Sequence, residues 1–401
     1  MHVTKQFLGL LAIAGLISFA SCKKDNVSIN KSTVDVSLKN PEGLKDVKTS
    51  NITIDFKEIN SGAVTKINIS TANDLANITL PDGSYDVSLD GDVEYNLDGT
   101  TQKSKIRGFQ SGVVVKGGKV SLNIPLFLYN INSSFIFKEI FFTGTVTPEG
   151  KQYNGDKYFI LYNNSADTLY ADGLVIAEAS FLSTTKRVYT PDIMAEAFTA
   201  GSVVMIPGTG KQYPVYPGKQ IVIANNAINH LEYNANSMDL RKSDFELSLI
   251  SSIDVDNPEV TNLINVTSAM TMHNRGFKSY VLARFPEGTN AESFKGNNLY
   301  SYSYINTTGS TTTSQGYKIP NTWIIDAVNL SVPAVFEWIL TSPALDMGWT
   351  YCGKKDQDNE RYGKSVRRKE LSTNPDGRVI LKDTNNSTND FDPEVKPSLM
   401  P

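Results

Sequence analysis

The sequence predicts an all-β protein built as two successive β-sandwiches, and three observations carry that reading. From about residue 30 onward, apolar and polar residues alternate in short runs, as in strands with one buried face and one wet face. Turn-forming pairs such as Asp82-Gly83, Gly117-Gly118 and Pro217-Gly218 separate the runs. With 401 residues and 40% hydrophobic content, the chain has material for two cores.

The first residues are read apart from the fold. Lys5 precedes an unbroken apolar and small-residue run from Phe7 to Phe19, followed by Ala20, Ser21 and Cys22. A basic start, a short apolar centre and small residues before a cut site describe a secretory signal, and the run falls short of the roughly 18–20 residues that span a bilayer. Phe19-Ala20-Ser21-Cys22 resembles a lipobox, with Phe19 in the place usually held by leucine. The resemblance implies a signal peptide over 1–21, lipidation of Cys22, and a charged tether over 22–30 that begins with Lys23, Lys24 and Asp25. Several acyl chains on one cysteine hold a protein on a membrane far more firmly than a single chain. The expected location is the outer membrane at the cell surface, with the periplasmic leaflet left open. Cys352 is the only other cysteine, so the mature chain has no intramolecular disulfide and its fold rests on its core.

The first sandwich is read over 31–130. Val34 to Lys39, Ile52 to Phe56, Ile67 to Ile69, Ala76 to Leu80 and Tyr85 to Leu89 are strands; after a polar loop, Gly112 to Val115 and Val120 to Leu126 complete seven. The stretch Leu80 to Gly91 resembles the prealbumin-like and fibronectin-type spacer sandwiches of surface lipoproteins. Asn130, Asn132 and Ser133 form a short linker to the second region, 131–401.

In that region Phe135 to Phe142, Tyr158 to Tyr162, Leu174 to Ile176, Ile221 to Ala224 and Trp323 to Val328 are rich in β-branched and aromatic residues. The runs "YFILYNNS", "LYADGLVIAEA", "YPVYPGKQIVIAN" and "WIIDAVNL", with a closing "GKSVRRK…LKDTNNSTNDF", resemble the lamin-tail domain, an immunoglobulin-like sandwich. In that motif Arg367 and Arg368 carry a structural role. The pieces stand far apart, so the excess is assigned to insertions at about 178–212, 229–322 and 343–363, where binding tends to be built on a rigid scaffold. The whole chain resembles an uncharacterised Bacteroidota-type lipoprotein family whose members accompany TonB-dependent outer-membrane receptors.

Chemistry-bearing side chains are sparse. Thirty-eight basic against 42 acidic residues argue against a dedicated nucleic-acid binder. His230 and His273 are the only histidines after the signal, no zinc-hydrolase or nucleophile-elbow motif occurs, and no cofactor is expected. Met272 beside His273 suits haem iron or copper, so His273, Met272 and His230 are weighed as metal ligands against packed methionine and hydrogen-bonded histidine. The second reading is preferred. Three acidic loops, around Asp254-Asp256-Glu259, Asp356-Asp358-Glu360 and Asp390-Asp392-Glu394, lack the full calcium-loop spacing and are read as solvated. Pro207 to Gln212, after a strand read over Val203 to Ile206, imitates a phosphate loop without its spacing and is read as a hairpin.

Tyr300, Tyr302, Tyr304 and Tyr317 bracket a polar run and provide flat area for a ligand or partner; equally, the alternating trio describes one face of an edge strand. The expected function is a non-enzymatic binding lipoprotein associated with a TonB-dependent transporter. Iron-chelate or haem uptake comes from the family resemblance. The alternatives are an adhesive surface protein and, third, a hydrolase.

Overall fold

The computed structural model describes residues 30–40, 45–71, 78–97, 100–129 and 135–401. The signal segment, Cys22, most of the tether and the linker at 130–134 lie outside the described residues. Within them the chain is all-β, and no helix is long and apolar enough to cross a membrane.

The N-terminal strands are β1 (Lys31–Lys39), β2 (Lys45–Glu58), β3 (Val64–Thr71), β4 (Ile78–Pro81), β5 (Gly83–Leu97), β6 (Thr100–Val115) and β7 (Lys119–Tyr129). They form one sheet in the order β3-β2-β5-β6-β7-β1-β4, with β1 and β7 parallel. The sheet turns over on itself at Gly108, where an added Cβ would lie 2.4 Å from Ile124 Cγ2 and 3.0 Å from the Pro125 carbonyl oxygen. The two halves enclose Val34, Ile54, Phe56, Val87, Leu122 and Ile124. The sandwich-like core is thus wrapped by a continuous sheet.

One segment differs from the sequence reading. The stretch between Leu89 and Gly112, expected as a polar loop, is the long β5-β6 hairpin. Its polar character comes from the outer face, where Asp90 pairs with Arg107, Asp92 with Lys105 and Glu94 with Lys103 in register. Val93 and Ile106 keep the inner face apolar. Opposite charges directly across a ladder support the pairing.

The second region begins with β8 (Phe135–Phe141), β9 (Thr145–Val146), β10 (Gln152–Tyr153), β11 (Tyr158–Asn163), β12 (Leu169–Tyr170), β13 (Leu174–Ala179), β14 (Ala197–Met205), β15 (Pro214–Val215) and β16 (Gln220–Ala224). Next come β17 (Phe245–Glu246), β18 (Thr261–Asn262), β19 (Ile264–Asn265), β20 (Tyr280–Arg284), helix α1 (Ala291–Asn297), β21 (Leu299–Ile305) and β22 (Thr311–Pro320). The chain closes with β23 (Ile324–Val328), β24 (Ser365–Arg368), β25 (Glu370–Thr373), β26 (Val379–Leu381), helix α2 (Ser387–Asp390) and β27 (Phe391–Val395).

Two sheets dominate, ordered β18-β17-β16-β11-β8-β24-β27 and β21-β22-β14-β13-β20-β23. Phe137, Phe159, Leu161 and Ile223 of the first meet Leu174, Ile176, Tyr280 and Leu282 of the second. Their outer faces are covered as well. Tyr158 and Ile160 pack under Met238 and Leu240, and Val175, Ala177 and Val281 pack under Phe294 and Leu340. Every residue of β11 and β13 is therefore buried, including Asn163 and Glu178, which explains why Tyr158 to Tyr162 and Leu174 to Ala177 show no polar alternation. Long irregular stretches separate the strands, but 178–212 and 229–322 also carry strands: β14 lies in the first and β17 to β22 in the second. β20 even sits between β13 and β23.

Arg368 joins the layers. Its Nε donates to the Phe137 carbonyl oxygen at 2.8 Å, its Nη2 to both Asp326 oxygens at 2.8 Å, and its Nη1 to Asp383 at 3.0 Å. Asp390 lies 3.7 Å away, and the Phe391 ring lies 4.7 Å below the guanidinium. Burial raises Asp326 to about 7 against the pull of Arg368, and Asp390 is raised for the same reason. Removing a buried cation from among carboxylates is costly. Arg368→Leu should destabilise the chain by about 3–5 kcal/mol in urea unfolding at pH 7. The loss should shrink as pH falls below about 7, where Asp326 takes up its proton; a loss below about 1 kcal/mol at pH 7 would contradict this role.

Candidate functional site

The alternation of Tyr300, Tyr302 and Tyr304 on β21 places all three on one face of the strand. Tyr317, opposite Leu299 in the β21-β22 register, falls on the other face and stacks on Phe294 at 5.9 Å. The structure thus separates Tyr317 from the other three.

The tyrosine trio backs an aromatic wall built by two segments from outside the sheet. Phe181 and Tyr189 stack at 4.0 Å, and Trp338 continues the stack 5.9 Å from Tyr189. Tyr302 and Tyr304 meet the Tyr189 ring edge-on at 5.6 and 5.5 Å, the geometry that ring quadrupoles favour. Backbone bonds from Thr190 to Ser303 in both directions tie this segment to the edge of β21. The Trp338 indole N–H donates to the Leu182 and Thr185 carbonyl oxygens at 2.9 and 3.2 Å, which fixes the ring while leaving it only partly buried. Arg187 lies 5.0 Å over the Tyr304 ring.

A second stack, Phe336 on Trp349 at 4.7 Å, stands along the same groove. Trp349 is held through its backbone: its N–H donates to Thr388 Oγ1, which in turn donates to the Trp349 carbonyl oxygen. Tyr300 lines the groove too, its hydroxyl 2.6 Å from Thr199 Oγ1. Lys57, Asp86 and Phe109 of the N-terminal sheet form the facing side, giving a cavity of about 980 Å³. Its rim charges are balanced, with Lys57, Lys186 and Arg187 against Asp86, Asp192 and Glu337.

The histidines occupy other places. His230 is buried with both ring nitrogens engaged, Nδ1 at 2.8 Å from the Tyr153 hydroxyl and Nε2 at 2.9 Å from the Asn226 carbonyl oxygen. Met272 packs in the central core, while its carbonyl oxygen accepts from Lys157. His273 Nδ1 accepts from the Phe277 N–H at 3.2 Å. Among the described residues, no three His, Cys, Asp or Glu side chains are arranged to hold a metal ion.

Two of the acidic loops are engaged within the protein, and Asp390, read as solvated, is buried. Asp358 accepts from the N–H groups of Lys354 and Glu360, Asp356 pairs with Arg275, and Asp390 joins the Arg368 cluster. In the Pro207 to Gln212 turn, the N–H groups of Gly210, Gln212 and Tyr213 point at the carboxylate of Asp172. Burial acts to raise Asp172, but these donors outweigh it and hold the group below its usual range. A side chain of the protein itself fills the anion-binding turn.

Phe181, Tyr189, Phe336, Trp338 and Trp349 were not singled out in the sequence. Their signal was weak but present: two of the three tryptophans fall in irregular segments.

Comparison with known proteins adds a family name to the C-terminal part. Residues 216–398 match the model of a family described as protein of unknown function (DUF4876). The chain is also similar to the crystal structure of a DUF4876 family protein from Bacteroides thetaiotaomicron VPI-5482, with 25% identity and a TM-score of 0.58 over 91% of this chain and 96% of that one. An adhesin candidate from Bacteroides ovatus ATCC 8483 aligns with 79% of this chain and 92% of its own at 9% identity, but the TM-score of 0.18 is no likeness of fold. No curated protein matches.

Burial, with the cations Lys278, Arg275 and Lys157 nearby, pushes His273 down to about 4. The unfolded chain, with histidine near 6.5, then binds more protons between about pH 6.5 and 4, so this stabilisation is complete above 6.5 and is lost as pH falls through that window. His273→Asn keeps an acceptor for Phe277 and cannot titrate there. Its unfolding free energy should fall by about 2–3 kcal/mol less than that of the wild type between pH 7 and 4.5, read by urea denaturation; equal falls would contradict the burial of a neutral ring.

Proposed function

We propose that the chain is a non-enzymatic binding lipoprotein of the outer membrane, held by lipid on Cys22, that offers its aromatic groove to a ring-bearing ligand. The observation that carries this reading is the pair of aromatic stacks, Phe181-Tyr189-Trp338 and Phe336-Trp349, facing one cavity. Flat faces fixed by backbone bonds accept another ring at little entropic cost. The balanced rim lacks the excess of positive charge that a nucleic acid requires.

A non-catalytic role is supported by how the buried acids are used. Asp346 accepts from Asn329, Gly348 and Ser387, and Asp156 from Thr145 and Ser237, so both are committed to holding segments together. The lipobox and the family resemblance support a place beside a TonB-dependent transporter, and planar iron chelates or haem are the ligand class that joins that context to the stacks. An adhesive role uses the same groove for a different partner.

A photo-crosslinking residue at exposed Lys186, on the groove rim, tests the reading in native membranes, with exposed Tyr233 as a remote control. Recovery of a TonB-dependent barrel from position 186, absent from 233, is expected; recovery of surface polymers alone would move the role to adhesion, and no capture from either position would contradict both. Trp349→Ala should weaken capture at least about tenfold, as loss of a stacking anchor does.

A further inference from the structure

A second cavity, of about 450 Å³, lies away from the groove between β11, β16 and the segment carrying His273. Lys157 precedes β11 and Asn225 follows β16, and the Asn225 N–H donates to the Lys157 carbonyl oxygen at 2.8 Å, so the two stand opposite each other at the end of the ladder. Their side chains line the cavity although they are only 3% and 4% exposed.

Each is incompletely partnered. Lys157 Nζ donates to the Met272 carbonyl oxygen at 2.9 Å, and among the described residues no carboxylate forms an ion pair with it. The nearby acids are occupied: Glu178 receives Lys278 and the Tyr280 hydroxyl, and Asp156 receives Thr145 and Ser237. Asn225 Oδ1 is buried with no hydrogen-bond partner. His273, accepting at Nδ1 from Phe277, carries its ring proton on Nε2, a second donor in the same lining.

A buried ammonium with no direct ion pair and a buried amide oxygen without a donor are both destabilising, and here both residues line one space. Their complement is a ligand with an anionic oxygen for Lys157 and His273 and a donor next to it for Asn225. We propose that this cavity binds a small carboxylate carrying a hydroxyl or amino group on the adjacent carbon. Burial lowers Lys157 to about 8, and a bound carboxylate would offset that cost.

Calorimetric titration of the full mature chain at pH 7 with L-lactate, L-alanine and propionate tests this, since the three differ only in hydroxyl, ammonium or hydrogen on the α-carbon. Lactate or alanine should bind saturably, and whichever does identifies the donor; propionate should bind at least tenfold more weakly. Lys157→Met should lose at least tenfold in affinity while melting no lower than the wild type, because it removes a buried charge that has no direct ion pair and whose burial outweighs the pull of Glu178 and Asp156. Asn225→Leu should erase the preference over propionate. Failure of both lactate and alanine to saturate, propionate binding equal to theirs, or unchanged affinity in Lys157→Met would overturn the proposal.

Discussion

The second region depends on one buried cation. Arg368 reaches from β24 to the backbone of β8, to Asp326 on β23 and to Asp383 in the closing loop, so both sheets of the sandwich are fixed by a single guanidinium. Asp326 completes the link by accepting from the Phe137 N–H at 2.7 Å. Three carboxylates around one cation cannot all be comfortable in a dry core, which is why burial holds two of them toward their protonated forms. The groove hangs from this joint. β23 runs into Asn329, whose N–H and amide both donate to Asp346 at 2.9 and 3.0 Å, and Asp346 in turn accepts from Gly348 and Ser387 beside Trp349 and Thr388. The stacking rings are thus carried on irregular backbone that buried carboxylates hold in place.

Much of the fold was legible because alternation maps directly onto strand faces. Val34 and Val36, Ile52 and Ile54, and Leu122 and Ile124 all point into the N-terminal core as their spacing demands. The β5-β6 hairpin escaped notice because Asp90, Asp92, Glu94, Lys103 and Lys105 dominate its composition, and their pairing across the ladder is invisible until the register is known. In the second region, β11 and β13 stood out because they are buried on both faces. β14 stood out only in its Val203 to Ile206 run and β20 not at all, because both lie in the long spacings between matched pieces that were assigned to insertions. What covers the outer faces, Met238, Leu240, Phe294 and Leu340, comes from those same segments.

The site was legible only in part. Period two brought Tyr300, Tyr302 and Tyr304 together, and the same parity sends Tyr317 to the opposite face. Nothing in the spacing links residue 189 to residue 338, since their contact is made by tertiary packing. The histidine and methionine candidates show the converse: a suggestive local string resolves into a packed Met272, a fully bonded His230 and a His273 fixed through Nδ1. The groove is a product of the long segments between strands, in keeping with binding surfaces built on a rigid sandwich.

The most direct test of the groove as the working surface is hydroxyl-radical footprinting of the protein in intact cells against the purified chain, read by mass spectrometry. Tyr189, Trp338 and Trp349 should be less oxidised in cells, while Tyr216 and Tyr233, exposed at 61% and 63% away from the groove, should be oxidised equally in both. Equal oxidation of the groove residues in cells and in solution would contradict the account, because it would mean that nothing occupies those rings where the protein works.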